Sequence, residues 1–513
     1  MVMNKSFVST IQSGYVATGE LLILGAATLG GSVYKEALVR IPLSTLNRHG
    51  LVAGATGTGK TKTLQKLSES LSRAGVPVLV MDVKGDFSGI SQPGEMNDKI
   101  KVRQEAIGLA WTPTSFPVEF LTISNAPGVK MRATVSEFGP VLFSKVLELN
   151  DTQTSVTSLI FKYCDDKGLL LLDLKDFKKV LQYLTNEGKS EIVKEYGAIS
   201  STTTSTIMRK IIEIEEQGAD TFFGEKSFDV SDLCQRNANG HGTVNVFRVA
   251  DMQNRPKMYS TFMLSLLAEI YNTFPEEGDM LKPKFTIIID EAHLIFDEAS
   301  SALLDQIETT IKLIRSKGIS IIFCTQNPAD IPASVLGQLG MKIQHALRAF
   351  TANDRKAIRL AADNYPDSLY YKTEDVITQL GIGEAFVTCL SEQGAPTPLV
   401  SCLVSSPESR MDTISESELQ ALVNRSPLSQ KYNQVIDRES AYEMLIKKVE
   451  GAAESSGVVS TAGKIAAGGV LGGLAGAIGS QAGKFLINQA KLVIGQIIRS
   501  QMRGAFGTLT RKK

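Results

Sequence analysis

Two hydrophobic patterns alternate along the chain. A continuous apolar run at residues 76–82 and the runs at 285–290 and 319–325 have the make-up of strands buried on both faces, and 243–249 and 342–348 read as further strands. Residues 48–53 form a further strand that leads into a glycine-rich loop. Between these runs apolar residues recur at helical spacing. Leu64, Leu67 and Leu71 at i, i+3 and i+7 predict a helix over 62–74, stopped by Gly75, and similar patterns predict helices over 257–271 and 300–317. Residues 384–390 and 398–404, joined by a turn carrying Gly and Pro, predict a closing β-hairpin. This alternation predicts an α/β fold with a doubly wound, mostly parallel sheet, which binds ligands at the carboxyl ends of its strands.

The texture changes twice. Over 132–217 helical patterns dominate (141–149, 155–164, 174–184 and 207–216), which predicts a helical insertion. The expected organisation is a short β-rich segment over 1–47, a first core part over 48–131, the insertion over 132–225, a second core part over 226–405 and a helical extension over 406–513. The end of that extension is rich in Gly and Ala, with Gly468, Gly472 and Gly476 four apart. No acid follows Glu454, whereas Lys464, Lys484, Lys491, Arg499, Arg503, Arg511, Lys512 and Lys513 are all basic. At ~100° per residue, Lys484, Lys491, Arg499 and Arg503 share one face, with Leu486, Val493, Ile494 and Ile497 opposite. Such a basic amphipathic tail suits a protein neighbour, a lipid surface or a polyanion. The uncharged stretch 465–483 spans a bilayer only if Gly and Ala are counted as apolar.

Composition narrows the class. The 513 residues carry 54 Lys and Arg against 54 Asp and Glu, so no global field draws the chain to nucleic acid and any such contact needs a local patch. Five scattered cysteines without a C-x-x-C pair, and four histidines outside metal-ligand spacing, argue against a disulfide framework and a structural zinc site. The N-terminal apolar stretch is short and lacks a charged leader, so a cytoplasmic location is expected, peripheral to a membrane if the tail docks there.

The chemistry concentrates in a few segments. Gly54-Ala55-Thr56-Gly57-Thr58-Gly59-Lys60-Thr61 satisfies G-x-x-x-x-G-K-[ST] between a strand and a helix. Small residues let successive N–H groups turn toward a β-phosphate; Lys60 bridges β- and γ-phosphates, Thr61 holds Mg²⁺, and Lys62 joins the set at the positive helix end. Asp290, at the end of an isoleucine run, suits the same Mg²⁺, and Glu291 can orient and deprotonate a water. The letters Asp-Glu-Ala-His also occur in DEAH-box helicases. That reading fails here: 230 residues separate Lys60 from Asp290, and the next strand ends in Cys324-Thr325-Gln326 rather than Ser-Ala-Thr. Gln326 can reach a γ-phosphate or cap the turn at Asn327-Pro328. Arg315 can serve a neighbouring subunit's site or interact with its own helix dipole. Asp82 can support Mg²⁺ or water, while Lys84 and Asp86 read equally as a solvated turn. His241, His345 and Cys324 read as structural.

GATGTGKT, the DVKGDFSGI turn, IIIDEAH, RSKGISIIFCTQNPADIP and SVLGQLGMKIQHALRAFT, in this order, resemble the HerA/FtsK superfamily of ring ATPases, and within it the bacterial HerA-like, YjgR-type subgroup. The resemblance runs from about Gly14 to Ser405. It implies a RecA-like core, with the helical insertion and basic tail as additions, acting as a hexameric ATPase with ATP and Mg²⁺. It makes Lys60 and Thr61 the Walker A pair and Asp290 and Glu291 the Walker B pair. Gln326 becomes the sensor glutamine, and Arg315, 24 residues after Glu291, the trans-acting arginine. The segment before the loop is too short for the β-barrel of HerA proper, and no winged-helix DNA reader is evident. The expected function is an ATP-hydrolysing ring motor, a DNA translocase or helicase-like ATPase by family analogy. A nucleotide-gated scaffold at a membrane or partner protein and a polypeptide-moving ATPase of the conjugation type are the alternatives.

Overall fold

Ile287, Ile288 and Ile289 point to alternate faces of one strand and are all buried, so helices must cover both sides of the sheet. The structure, a computed structural model, describes residues 2–252, 255–278, 280–296, 301–349, 351–434, 436 and 438–455. The basic tail, with its glycine repeat and amphipathic face, lies outside the described residues. The chain divides into two units, Met1–Leu445 and Ile446–Lys513, and the architecture below is that of the first.

Twelve strands form a single sheet. In chain order they are β1 (Leu21–Leu29), β2 (Ser32–Pro42), β3 (Gly50–Ala53), β4 (Val78–Asp82), β5 (Val118–Thr122), β6 (Val129–Lys130), β7 (Val244–Arg248), β8 (Phe285–Ile289), β9 (Ile319–Thr325), β10 (Met341–His345), β11 (Glu384–Thr388) and β12 (Val400–Val404). Their spatial order is β2-β1-β12-β11-β10-β3-β9-β8-β4-β7-β5-β6. Pairing is parallel from β10 across to β6 and antiparallel from β10 through β11, β12 and β1 to β2. The expected doubly wound, mostly parallel α/β sheet is present, and 384–404 does form an antiparallel pair, but it does not close the sheet, because β1 and β2 lie beyond it.

The start of the chain differs from its β-like reading. Residues Val2–Gly14 form helix α1, in which Phe7 and Ile11, with Tyr15 just beyond, are buried at intervals of four. Phe7 packs edge-on against Tyr34 and Tyr370, with ring centroids 5.4 and 5.1 Å apart. β1 and β2 follow as a hairpin that lengthens the main sheet, Gly25 pairing with Val404. Helix α2 (Lys60–Arg73) begins two residues earlier than the apolar spacing suggested, because the loop's last glycine, not the first leucine, starts the helix. The strand β5 had no distinct signal: Glu119 interrupts it.

Between β6 and β7 the chain is helical, with α-helices Val135–Val146, Asp151–Lys167, Leu174–Thr185, Lys189–Glu195, Ser201–Glu216 and Ala219–Phe222. The first three and the last meet at an aromatic centre: Phe143 lies 4.9 Å from Phe177, 6.0 Å from Phe161 and 5.9 Å from Phe223 by ring centroid. Phe222 carries this centre to Phe262 (6.1 Å), in the helix Pro256–Thr273, and Phe262 stacks flat on Phe247 of β7 at 4.2 Å. Aromatic contacts thus tie the insertion to the core sheet. No helix among the described residues is long and apolar enough to cross a membrane.

Candidate active site

The register of the central strands lines up their carboxyl ends. Ala53 of β3 pairs with Thr325 of β9, Phe323 with Ile289 of β8, and Ile289 with Met81 of β4. One residue or so beyond, the chain therefore presents Gly54, Gln326, Asp290 and Asp82 side by side. Segments far apart in sequence meet there because parallel strands share one direction.

The loop Gly54–Gly59 is pinned from below. Gly54 N–H donates to Thr325 O (3.3 Å) and Ala55 N–H to Ala346 O (2.8 Å), while Thr58 Oγ1 donates to Ala55 O (2.7 Å). Gly59 has φ +109°, and a Cβ there would sit 3.1 Å from Gly383 N and 3.2 Å from Gly383 Cα, so only glycine fits. The first bond into α2 is Thr63 N–H to Gly59 O (3.0 Å). The N–H groups of Lys60, Thr61 and Lys62 thus have no carbonyl a turn earlier and are aimed into the loop, an anion-attracting arrangement. The Lys62 ammonium points elsewhere, donating to Met411 O, so its share in the site is its backbone N–H. Lys60 Nζ is folded back onto Gly54 O (2.6 Å) and Ala55 O (3.1 Å), and burial pulls its pKa below the usual lysine value. An ammonium held by two carbonyls inside a ring of N–H donors fits a phosphate that takes over as its partner. Below the loop His345 is fully buried, Nε2 2.9 Å from Thr63 Oγ1 and Nδ1 2.9 Å from Glu384 O; burial lowers its pKa to about 4, so it stays neutral. It supports the loop and is not a proton carrier at neutral pH.

The acid side is more elaborate than the sequence suggested. Asp290 is buried, and burial raises its carboxyl pKa while the Cys324 thiol hydrogen-bonds to it. Cys324, expected to be structural, therefore also contacts the candidate metal ligand. Ala292 N–H donates to Cys324 O (2.8 Å), stitching the turn to β9. Glu291 sits at φ +47°, a left-handed conformation that costs a non-glycine residue roughly 1–2 kcal/mol. The turn swings its carboxylate to the Lys84 ammonium, with Gln326 Nε2 and His293 Nδ1 each 3.4 Å from Oε2. Burial alone would raise the Glu291 pKa, but the hydrogen bond and charge of Lys84 outweigh it and hold the carboxyl below its usual range. So paired, Glu291 is a weak base until Lys84 moves. Asp82 accepts from Gly85 N–H (2.8 Å) and Phe87 N–H (3.2 Å); burial, then Asp86, push its carboxyl up to about 7. Among the described residues no group of three or more His, Cys, Asp or Glu side chains is arranged to hold a metal ion. A cation beside Asp290 would draw its other oxygens from Thr61 and a phosphate.

Gln326 reaches from the acids to the loop, its Oε1 accepting from Thr56 Oγ1 at 3.4 Å. The turn cap belongs to Asn327, whose Oδ1 accepts from Ala329 N–H at 3.1 Å. Arg315 is set apart. It lies exposed on the 3-10 turn Arg315–Lys317 before β9, at the end of that strand opposite Gln326. Lys84 and His293 are the residues that sequence reasoning undervalued; for Lys84 the only signal was its place in the DVKGD turn after a core strand.

A loop with a folded-back lysine, an acid pair and a glutamine on adjoining parallel strands define a RecA-like P-loop ATPase fold, and the solved structures agree. The chain is similar in fold to the bacterial conjugative coupling protein TrwBdeltaN70, in an unbound form (TM-score 0.50, 14% identity, 79% of this chain and 94% of that one) and in a form with sulphate (TM-score 0.50, 13% identity, the same coverage). The chain belongs to the helicase HerA-like C-terminal family, whose model matches residues 29–513. It is similar to DNA double-strand break repair helicase HerA of Sulfolobus acidocaldarius (20% identity over 366 residues) and of Sulfurisphaera tokodaii (22% over 366 residues). Each alignment takes in 71% of this chain and 66% of the relative, so the chain spans just under two thirds of these relatives' length.

Proposed function

We propose that the protein is an ATP-hydrolysing motor of the HerA/FtsK type that works as a homo-oligomeric ring on DNA. The observation that carries this reading is the meeting of the Lys60 loop with Asp290, Glu291 and Gln326 at neighbouring strand ends, while Arg315 is presented at the opposite end of β9. ATP would lie with its phosphates on the N–H groups of Lys60, Thr61 and Lys62, and Lys60 would leave the carbonyls of Gly54 and Ala55 for them. Thr61 and Asp290 would hold Mg²⁺, which neutralises phosphate charge when bound. Glu291, released from Lys84, orients and deprotonates the attacking water; Gln326, touching both Glu291 and Thr56, joins that event to the loop. Arg315 stabilises charge on the next subunit's phosphates. DNA as the track follows from the similarity to HerA helicases.

The test is ATPase turnover with and without double-stranded DNA at rising salt. A motor with a few phosphate contacts per subunit is stimulated by DNA, and the stimulation fades as salt rises. Turnover indifferent to DNA at low salt would refute the DNA-motor reading in favour of a nucleotide-gated scaffold or a polypeptide-moving ATPase.

A further inference from the structure

A buried hydroxyl without a partner needs a reason, because its bonds to water are given up and nothing replaces them. Tyr259 carries such a group. It lies in the helix Pro256–Thr273 that follows β7, it is 2% exposed, and its hydroxyl has no hydrogen-bond partner among the described residues. Burial, and after it the charge of Asp290, push its pKa far above the usual tyrosine value, so the hydroxyl keeps its proton and remains a donor.

The packing of that helix sets the height of Tyr259. Phe247 of β7, Met81 of β4 and Ile289 of β8 are level with one another across the sheet. Phe262 stacks flat on Phe247, with ring centroids 4.2 Å apart, and so pins the helix at the level of Ile289. The helix runs down from the carboxyl ends of the strands, so Tyr259, three residues before Phe262, stands about 4.5 Å higher. Asp290, one residue past Ile289, stands about 3.3 Å higher. The phenol and the carboxylate therefore share one level of the fold. The first turn of the helix is held from the insertion as well: the Lys257 ammonium lies 3.3 Å from Glu148 Oε2 and pairs with Glu213. Tyr259 thus rides on a turn that is fixed at both ends.

Asp290 itself is lightly held. It is bonded to the Cys324 thiol, a weak donor, and to the Glu291 N–H. A carboxylate that gives one oxygen to a cation is oriented by hydrogen bonds to the other. We infer that Tyr259 is the positioning residue of Asp290, its hydroxyl donating to the Asp290 carboxylate when that carboxylate takes up the cation that accompanies the nucleotide. Hydrogen bonds of this kind tighten as the ligand arrives. The inference rests on the nucleotide reading of the loop and adds what orients its metal ligand.

Tyr259→Phe keeps the ring and removes the hydroxyl. The full chain is measured for its affinity for a non-hydrolysable ATP analogue without metal, for the affinity of the analogue-loaded protein for Mn²⁺ (a paramagnetic stand-in for Mg²⁺) by electron paramagnetic resonance, and for its denaturant midpoint without metal. The variant is expected to bind the analogue as wild type does and Mn²⁺ about tenfold more weakly. Its midpoint should equal or exceed that of wild type, because no bond of the fold is lost. The control is Thr286→Val, which removes another buried hydroxyl unpartnered among the described residues, near the amino end of β8; it should leave Mn²⁺ affinity unchanged. Mn²⁺ affinity of Tyr259→Phe within about twofold of wild type, or the same loss in Thr286→Val, would overturn the assignment. A lowered midpoint in Tyr259→Phe would overturn it too, by showing the hydroxyl already engaged in holding the fold. Wild-type protein that binds neither the analogue nor Mn²⁺ would instead remove the nucleotide reading of the loop and this inference with it.

Discussion

Replacing Arg315 by alanine is predicted to abolish ATP hydrolysis while leaving ATP binding intact, because the residue stands at the wrong end of its own sheet to serve its own loop. β9 covers seven residues, Ile319–Thr325, and delivers Gln326 to the loop at its far end. At ~3.3 Å per residue the strand alone separates the two ends by about 20 Å, beyond the span of an arginine side chain. Lys317, two residues on, is buried, its Nζ on Phe274 O (2.5 Å) and 4.8 Å from the Tyr271 ring centroid, which fixes the turn and leaves Arg315 facing out. An arginine acting across an interface is worth about 10³–10⁵ in rate, so the variant's turnover should fall by that order. The decisive assay mixes Arg315→Ala chains with Lys60→Ala chains, each inactive alone. Random assembly gives about one interface in four with an intact loop on one side and an intact arginine on the other, so turnover should return to about a quarter of the wild-type value. Normal hydrolysis by Arg315→Ala alone, or no recovery in mixed particles whose mass shows assembly, would refute a shared site.

Two further outcomes follow from the same geometry. Glu291→Gln keeps the shape of the turn but loses the base, so it should bind ATP and stall; a single-turnover assay with normal product formation would remove Glu291 from that role. Glu69→Ala removes a fully buried carboxylate of α2 that accepts Glu408 N–H (2.9 Å), Ser409 N–H (2.8 Å) and Ser409 Oγ (2.6 Å) beside Lys66; stranding these partners should cost about 3–5 kcal/mol in denaturant unfolding, and a loss below about 1 kcal/mol would contradict it.

What the sequence determined by itself is local. The loop's glycines, the isoleucine run that ends at Asp290 and the leucine spacing of α2 declare their conformations through neighbouring residues, because dihedral limits and one-face burial act over a few positions. The strand-loop-helix unit, the acid pair and the alternation that predicts a parallel sheet were therefore readable. Helix α1 carried its signal too, in the spacing of Phe7, Ile11 and Tyr15, beneath a Gly-, Ser- and Thr-rich composition that read as a β-rich start. Strand order is another matter. That Lys84 meets Glu291, that Gln326 touches Thr56 while Asn327 does the capping, that the β1–β2 hairpin extends the sheet beyond β12, and that Tyr259 comes to the level of Asp290 are facts about pairs tens to hundreds of residues apart. Hydrophobic periodicity says which face of an element is buried but not which element covers it. Only the tertiary structure chooses those neighbours, through the simultaneous burial of the central strands and the bonds that their ends must find.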